Sequence, residues 1–88
     1  MEIRQLQYLT ESVKRKSFSQ AAKVLYTTQP NISKSIRKLE SELGVELFRR
    51  GNVGVELTEE GKIVYDQAMQ ILQSVKQMEE LIYIDKHQ

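Results

Sequence analysis

Gln29, Ser33, Lys34, Arg37 and Lys38 fall in one short stretch, each off the apolar stripe formed by Ile32, Ile36 and Leu39. The chemistry they offer is recognition, not bond making. A glutamine carboxamide donates and accepts at once, which matches the N6 and N7 edge of adenine. A serine hydroxyl meets a base or a phosphate, and a lysine ammonium can donate to guanine O6 and N7. Arg37 and Lys38, further along, suit phosphates. Nothing comparable points to catalysis: no nucleophile has a histidine or a carboxylate pair at a useful spacing, and no glycine loop is built to cradle phosphate. The chain has no cysteine and one histidine, His87, close to its last residue. That excludes a disulfide or a thiolate metal site and leaves only carboxylates around a single imidazole. No enzyme activity, no cofactor and no metal ion is expected.

Charge points the same way. The net charge is only +1, but residues 1–57 carry ten basic against six acidic side chains, and residues 58–88 carry three against six. Between Ser12 and Leu39 there are seven bases and no acid. A one-signed stretch of this kind suits a polyanion. The plain alternative is a solvated helix face with a local bias.

The elements that must hold these groups are short. Eighty-eight residues make one small unit, and 40% hydrophobic with 28% charged residues is ordinary globular composition. No apolar run approaches the roughly 20 residues of a membrane span, and the opening Glu2, Arg4 and Gln5 do not resemble a secretory signal. A cytoplasmic protein with no membrane partner is expected. Ile3, Leu6, Leu9 and Val13 share one helical face, which predicts a first helix over residues 2–13. Ser17 reads as the cap of a second, over 18–25, with Gln20 completing a capping box and Ala21, Ala22 and Leu25 facing inward. Thr27 or Thr28 caps a third helix, Pro30 sits in its first turn, its stripe of Ile32, Ile36 and Leu39 runs on to Leu43, and Gly44 ends it. Its amide-bearing start is also an anion seat.

Residues 45–57 change period around Gly51, Asn52 and Gly54, which predicts a small hairpin. Thr58, Glu59 and Glu60 then open a long helix. Along it Val64, Ala68, Ile71, Val75, Met78 and Ile82 step by four, three, four, three and four, a heptad seam. Most of such a helix projects past three short ones, so its seam is expected to pair with the same helix of a second copy. The fold class is therefore mainly α: a winged helix-turn-helix over residues 1–57 with a small two-stranded wing, then a long linker and dimerisation helix over 58–88. A pure oligomerisation module would explain the seam alone. An RNA reading of Gly51-Asn52-Val53-Gly54 fails on placement, because that loop joins two helices in KH domains and here it lies in a hairpin pattern.

The segment Phe18-Ser19-Gln20-Ala21-Ala22-Lys23-Val24-Leu25, with Gln29-Pro30-Asn31-Ile32-Ser33-Lys34-Ser35-Ile36-Arg37-Lys38-Leu39-Glu40, resembles the LysR-type transcriptional regulators. Leu43-Gly44-Val45-Glu46-Leu47-Phe48-Arg49-Arg50 and Leu57-Thr58-Glu59-Glu60-Gly61 continue the likeness at the family's spacing over essentially the whole chain. The resemblance implies the N-terminal DNA-binding domain of a bacterial regulator, binding a pseudo-palindromic operator as a homodimer through antiparallel linker helices. Tetramers of the full-length protein and nucleoid association when bound are implied as well. It makes Thr28, Gln29, Pro30, Ser33 and Lys34 the groove-reading set. Asn31, Arg37 and Lys38 stand beside them, with Arg50, Asn52 and Val53 at the wing. The family usually has arginine where this chain has Lys34, and an arginine-rich wing tip where this chain has glycines and Asn52. A backbone approach is expected at that tip in place of arginine insertion. The family's small-molecule effector binds a larger C-terminal domain that lies outside these residues.

Overall fold

The computed structural model describes residues 1–51 and 54–87. Four helices follow in order: α1 (Ile3–Arg15), α2 (Phe18–Val24), α3 (Gln29–Leu43) and α4 (Glu59–Lys86). The first three pack on one another, and α4 packs on α1 and on no other helix among the described residues. The core is Leu6 and Leu9 of α1, Ala21 and Ala22 of α2, Ile32, Ile36 and Leu39 of α3, then Leu47, Phe48 and Ala68. Phe18 meets Phe48 edge to face at 5.2 Å between ring centres, which ties the start of α2 to the segment after α3.

The stripe of α1 holds at Leu6 and Leu9, but Ile3 is exposed, and the buried face is completed by Gln5, Thr10 and Ser12. These polar groups are tolerated because they bond locally. Ser12 Oγ donates to the Tyr8 carbonyl at 2.7 Å, and Gln5 Oε1 accepts from the Glu2 amide at 2.7 Å. Lys16 ends α1 in the left-handed region, and the Ser17 amide donates back to the Ser12 carbonyl at 3.2 Å. That bond explains why the capping box expected at Ser17 is only half made. Ser17 Oγ accepts from the Gln20 amide at 3.1 Å, but the Ser17 amide is already committed to α1.

Thr28 caps α3, its Oγ1 accepting from the Asn31 amide at 3.2 Å, and Gly44 stops the helix at φ 74°. Leu43, the last expected member of the α3 stripe, is exposed; Glu40 is buried in its stead. The expected two-stranded hairpin is reduced among the described residues to one antiparallel bridge, Phe48 with Leu57, and the Arg49 amide donating to the Glu56 carbonyl at 2.8 Å. The Thr58 amide donating to the Leu47 carbonyl at 3.0 Å closes the other side of that bridge, and the segment is otherwise held by side chains, since Leu47 and Phe48 are buried in the core.

The first turn of α4 is seated by Thr58. Its Oγ1 accepts from the Gly61 amide at 2.9 Å and donates to the Glu46 carbonyl at 2.6 Å. Beyond Leu72 the helix leaves the core, and Met78, Leu81, Ile82, Tyr83 and Ile84 are all exposed. No described helix is long and apolar enough to cross a membrane.

Candidate nucleic-acid interface

Burying Ile32, Ile36 and Leu39 rotates the opposite face of α3 outward. Thr28, Gln29, Pro30, Asn31, Lys34, Arg37 and Lys38 are exposed there, and Ser33 is half-buried at the edge of the core. Pro30, Ser33, Lys34 and Arg37 line a shallow concavity of about 350 Å³. α3 and α2 are joined by a tight turn in which Tyr26 takes a left-handed φ of 55° with 98% of its surface exposed. That conformation costs a side-chain-bearing residue about 1–2 kcal/mol, and the Thr27 amide, donating to the Ala22 carbonyl at 2.9 Å, offsets part of it by closing the end of α2.

The cations of the α3 face differ from those beyond it. Lys34 and Arg37 form no salt bridge among the described residues, whereas Arg49 pairs with Glu56 at 3.2 Å and Arg50 pairs with Glu40. Arg50 therefore has a partner inside its own domain. The nearly buried Glu40 carboxylate holds both the Arg50 guanidinium and the Leu47 amide, the latter at 2.7 Å, and so fastens the segment after α3 to α3 itself. The start of α3 is also a weaker anion seat than its sequence suggests, because Pro30 has no N–H and the Asn31 amide is taken by Thr28.

Three contributors escaped sequence reasoning. Arg4 of α1 lines a groove of about 310 Å³ with Asn31, Lys34 and Lys38, which adds a cation from a helix read only for its apolar face. Ser19 Oγ donates to Gln29 Oε1 at 2.9 Å, and Asn31 Nδ2 donates to Thr27 Oγ1 at 3.1 Å. Each joins residues brought together by a turn whose shape the sequence does not spell out. At the far end of α3, the N-terminal ammonium bonds the Glu42 carboxylate and holds its pKa below the usual value, helped by Gln5 and the charge of Lys38.

The seam on α4 divides. Ala68 is 1% exposed within the core, and Val64 packs against the same core, so these two expected dimer contacts face their own domain. The geometry of the first turn dictates this, since α4 must lie along α1 before it can leave it. Val75 is half-buried, and Ile71, Met78 and Ile82 are 40%, 59% and 57% exposed. Asn52 and Val53 lie outside the described residues. No cluster of potential metal ligands occurs among the described residues.

Comparison with known proteins agrees with this geometry. Residues 3–62 match the family model described as bacterial regulatory helix-turn-helix protein, lysR family. The chain is 46% identical over 72 residues to the HTH-type transcriptional regulator BudR of Klebsiella aerogenes, a match covering 82% of this chain and 50% of that protein. It is 42% identical over 78 residues to the HTH-type transcriptional regulator BenM of Acinetobacter baylyi, covering 89% of this chain and 26% of that one. The chain thus spans half of one relative and about a quarter of the other. Among solved structures, the BenM_DBD/catB site 1 DNA complex superposes with a TM-score of 0.90 at 40% identity, over 94% of this chain and 92% of that one. The CbnR_DBD-DNA complex superposes with a TM-score of 0.87 at 33% identity, over 97% and 98%.

Proposed function

The chain belongs to the lysR family of bacterial regulatory helix-turn-helix proteins, and on that premise we propose that it binds double-stranded DNA sequence-specifically as the DNA-binding domain of a transcriptional regulator. The observation that carries this reading is the bare face of α3. Its first turns present Gln29 and Lys34 outward with Ser33 at the edge, and behind them Arg37, which forms no salt bridge among the described residues, while Ile32, Ile36 and Leu39 opposite are buried. That arrangement suits a recognition helix in the major groove. Similarity to domains whose structures were solved with DNA supports it.

Gln29 reads a base edge, Ser33 and Lys34 read or position beside it, and Arg37, Lys38 and Arg4 hold phosphates. Thr28, Pro30 and Asn31 set the approach of the helix start. Residues 45–57 serve as a wing whose pairing begins at Phe48 and Leu57, with Asn52 and Val53 at its tip by sequence and Arg50 steadying its base. Residues 1–57 form the reading unit, and residues 58–88 couple two copies into a homodimer on a pseudo-palindromic operator, its half-sites about one helical turn or a multiple apart. Tetramers and a small-molecule effector belong to a longer protein with a further C-terminal domain. The setting is the cytoplasm, at the nucleoid.

Selection of bound sequences from a random duplex pool at stated salt tests the whole proposal. A recovered motif with two related half-sites is expected; an unenriched pool would leave only the oligomerisation reading. Gln29→Ala is expected to flatten the preference at one half-site position and cost about 1–3 kcal/mol on the selected duplex. Equal losses on selected and random duplexes would remove Gln29 from base reading. Arg37→Ala is expected to weaken all duplexes alike and reduce the slope of log affinity against log salt by about one. An unchanged slope would take Arg37 out of the phosphate set.

A further inference from the structure

A glutamine carboxamide is nearly symmetric in shape, and a half-turn about its last bond exchanges donor and acceptor. An exposed Gln29 with nothing to hold it samples many rotamers as well as that turn, and loses discrimination. Adenine requires an acceptor opposite N6–H and a donor opposite N7. The turned amide instead offers its donors where the acceptor is needed, which suits carbonyl-bearing edges.

Gln29 is not a free arm. Ser19, on the first turn of α2, reaches across the helix-turn-helix and donates its hydroxyl to Gln29 Oε1 at 2.9 Å. Both side chains are exposed, so the bond lies on the outer surface. A carbonyl oxygen has two acceptor positions. With one filled by Ser19, Gln29 keeps one acceptor position and both Nε2 hydrogens, the set that adenine needs.

We infer that Ser19 is a positioning residue for specificity: its hydroxyl holds the Gln29 carboxamide in one place on the outer face with its adenine-reading groups still open, and so sharpens the preference for adenine at that operator position. This rests on the reading that α3 enters the major groove with Gln29 at a base edge. Ser19 contributes through Gln29, and its removal should alter preference more than total affinity.

The test uses a duplex recovered by the unaltered chain, varied through all four base pairs at each half-site position and titrated at two salt concentrations. Ser19→Ala should lower the preference for adenine about three- to tenfold, the fold-change that one neutral hydrogen bond supports. The loss should fall at the position that Gln29→Ala flattens, with an unchanged salt slope. Ser19→Thr, which keeps the hydroxyl, should retain the preference. In a Gln29→Ala background, Ser19→Ala should do nothing further. A uniform loss on every duplex with a shallower salt slope, persisting in that background, would assign Ser19 to a phosphate and overturn the inference, as would an unchanged preference. If Gln29→Ala itself flattens no position, base reading by Gln29 fails and this inference with it. If Gln29→Ala flattens a position and Ser19→Ala does not, only the positioning role fails.

Discussion

Gly61→Ala should destabilise the fold by about 3 kcal/mol or more, at the upper end of what overpacking a rigid interior costs. A Cβ at Gly61 would lie 2.1 Å from the Leu47 carbonyl oxygen and 3.1 Å from Leu57 Cδ2. The first obstacle is backbone, so no rotamer change relieves it. It is also backbone in use, because that carbonyl accepts from the Thr58 amide. Relief requires α4 to lift from residues 46–47, which also strains the Thr58 bond to the Glu46 carbonyl and the Phe48–Leu57 bridge. For a unit of this size about 3 kcal/mol corresponds to a fall of roughly 12–24 °C in Tm. Thermal melting followed by circular dichroism at one fixed protein concentration measures it, since any association would otherwise shift the midpoint. Gly44→Ala is the contrast. Its Cβ meets nothing within 4 Å, so only the positive φ of 74° opposes it, at a cost of about 1 kcal/mol. A Gly61→Ala midpoint within a few degrees of the unaltered chain would mean that the start of α4 does not rest on Leu47.

Gly61 also marks the boundary of what a sequence reveals. The α3 stripe of Ile32, Ile36 and Leu39, the caps at Ser17, Thr28 and Thr58, and the stop at Gly44 are local, and each is found where periodicity and capping chemistry put it. The bare face of α3 follows from the same periodicity, so most of the candidate interface is legible in one helix. The contacts that tune it are not local. Glu40 reads as one more charge near the end of a helix, yet it is buried by the Leu47 amide and Arg50, seven and ten residues away. Ser19 reaches Gln29 only because Tyr26 turns the chain through a left-handed conformation. A glycine inside the first turn of a helix is itself a signal, since it weakens the helix unless something needs the space. What needs the space is a carbonyl from another segment, and no pattern near Gly61 names it. The wing falls short of its sequence pattern for a related reason. Alternating residues suggest strands, but the core draws in Leu47 and Phe48, and one bridge is all that forms among the described residues.

Val75→Glu should abolish pairing of the chain and, through it, most of the affinity for a two-half-site operator. α4 is 28 residues long, about 42 Å at 1.5 Å per residue, and its residues packed in or against the core, Val64, Ala68 and Leu72, all lie in its first half. Past Leu72 the seam continues at heptad spacing: Val75 is half-buried and Met78 and Ile82 are exposed, and none of the three packs on the core among the described residues. A second copy supplies a matching seam, and a two-fold pair brings each residue into the interface twice. A carboxylate at Val75 would therefore be buried in duplicate without a partner, at a cost of about 3 kcal/mol or more, and the dimer Kd should rise by about a hundredfold or more. On DNA the consequence is larger than the protein contact alone. Two linked reading heads gain about 10²–10⁴ in apparent affinity over one head binding alone, and a monomer forfeits that gain. Sedimentation should thus show a monomer, binding to the full operator should fall by that factor, and binding to an isolated half-site should be unchanged. Gln73→Glu adds the same charge on the exposed opposite face of α4 and should leave all three measurements alone, which separates lost pairing from repulsion of the DNA. A Val75→Glu chain that still sediments as a dimer would place the pairing surface elsewhere on the molecule. One that is monomeric yet keeps its full-operator affinity would mean that the two heads were never coupled through α4.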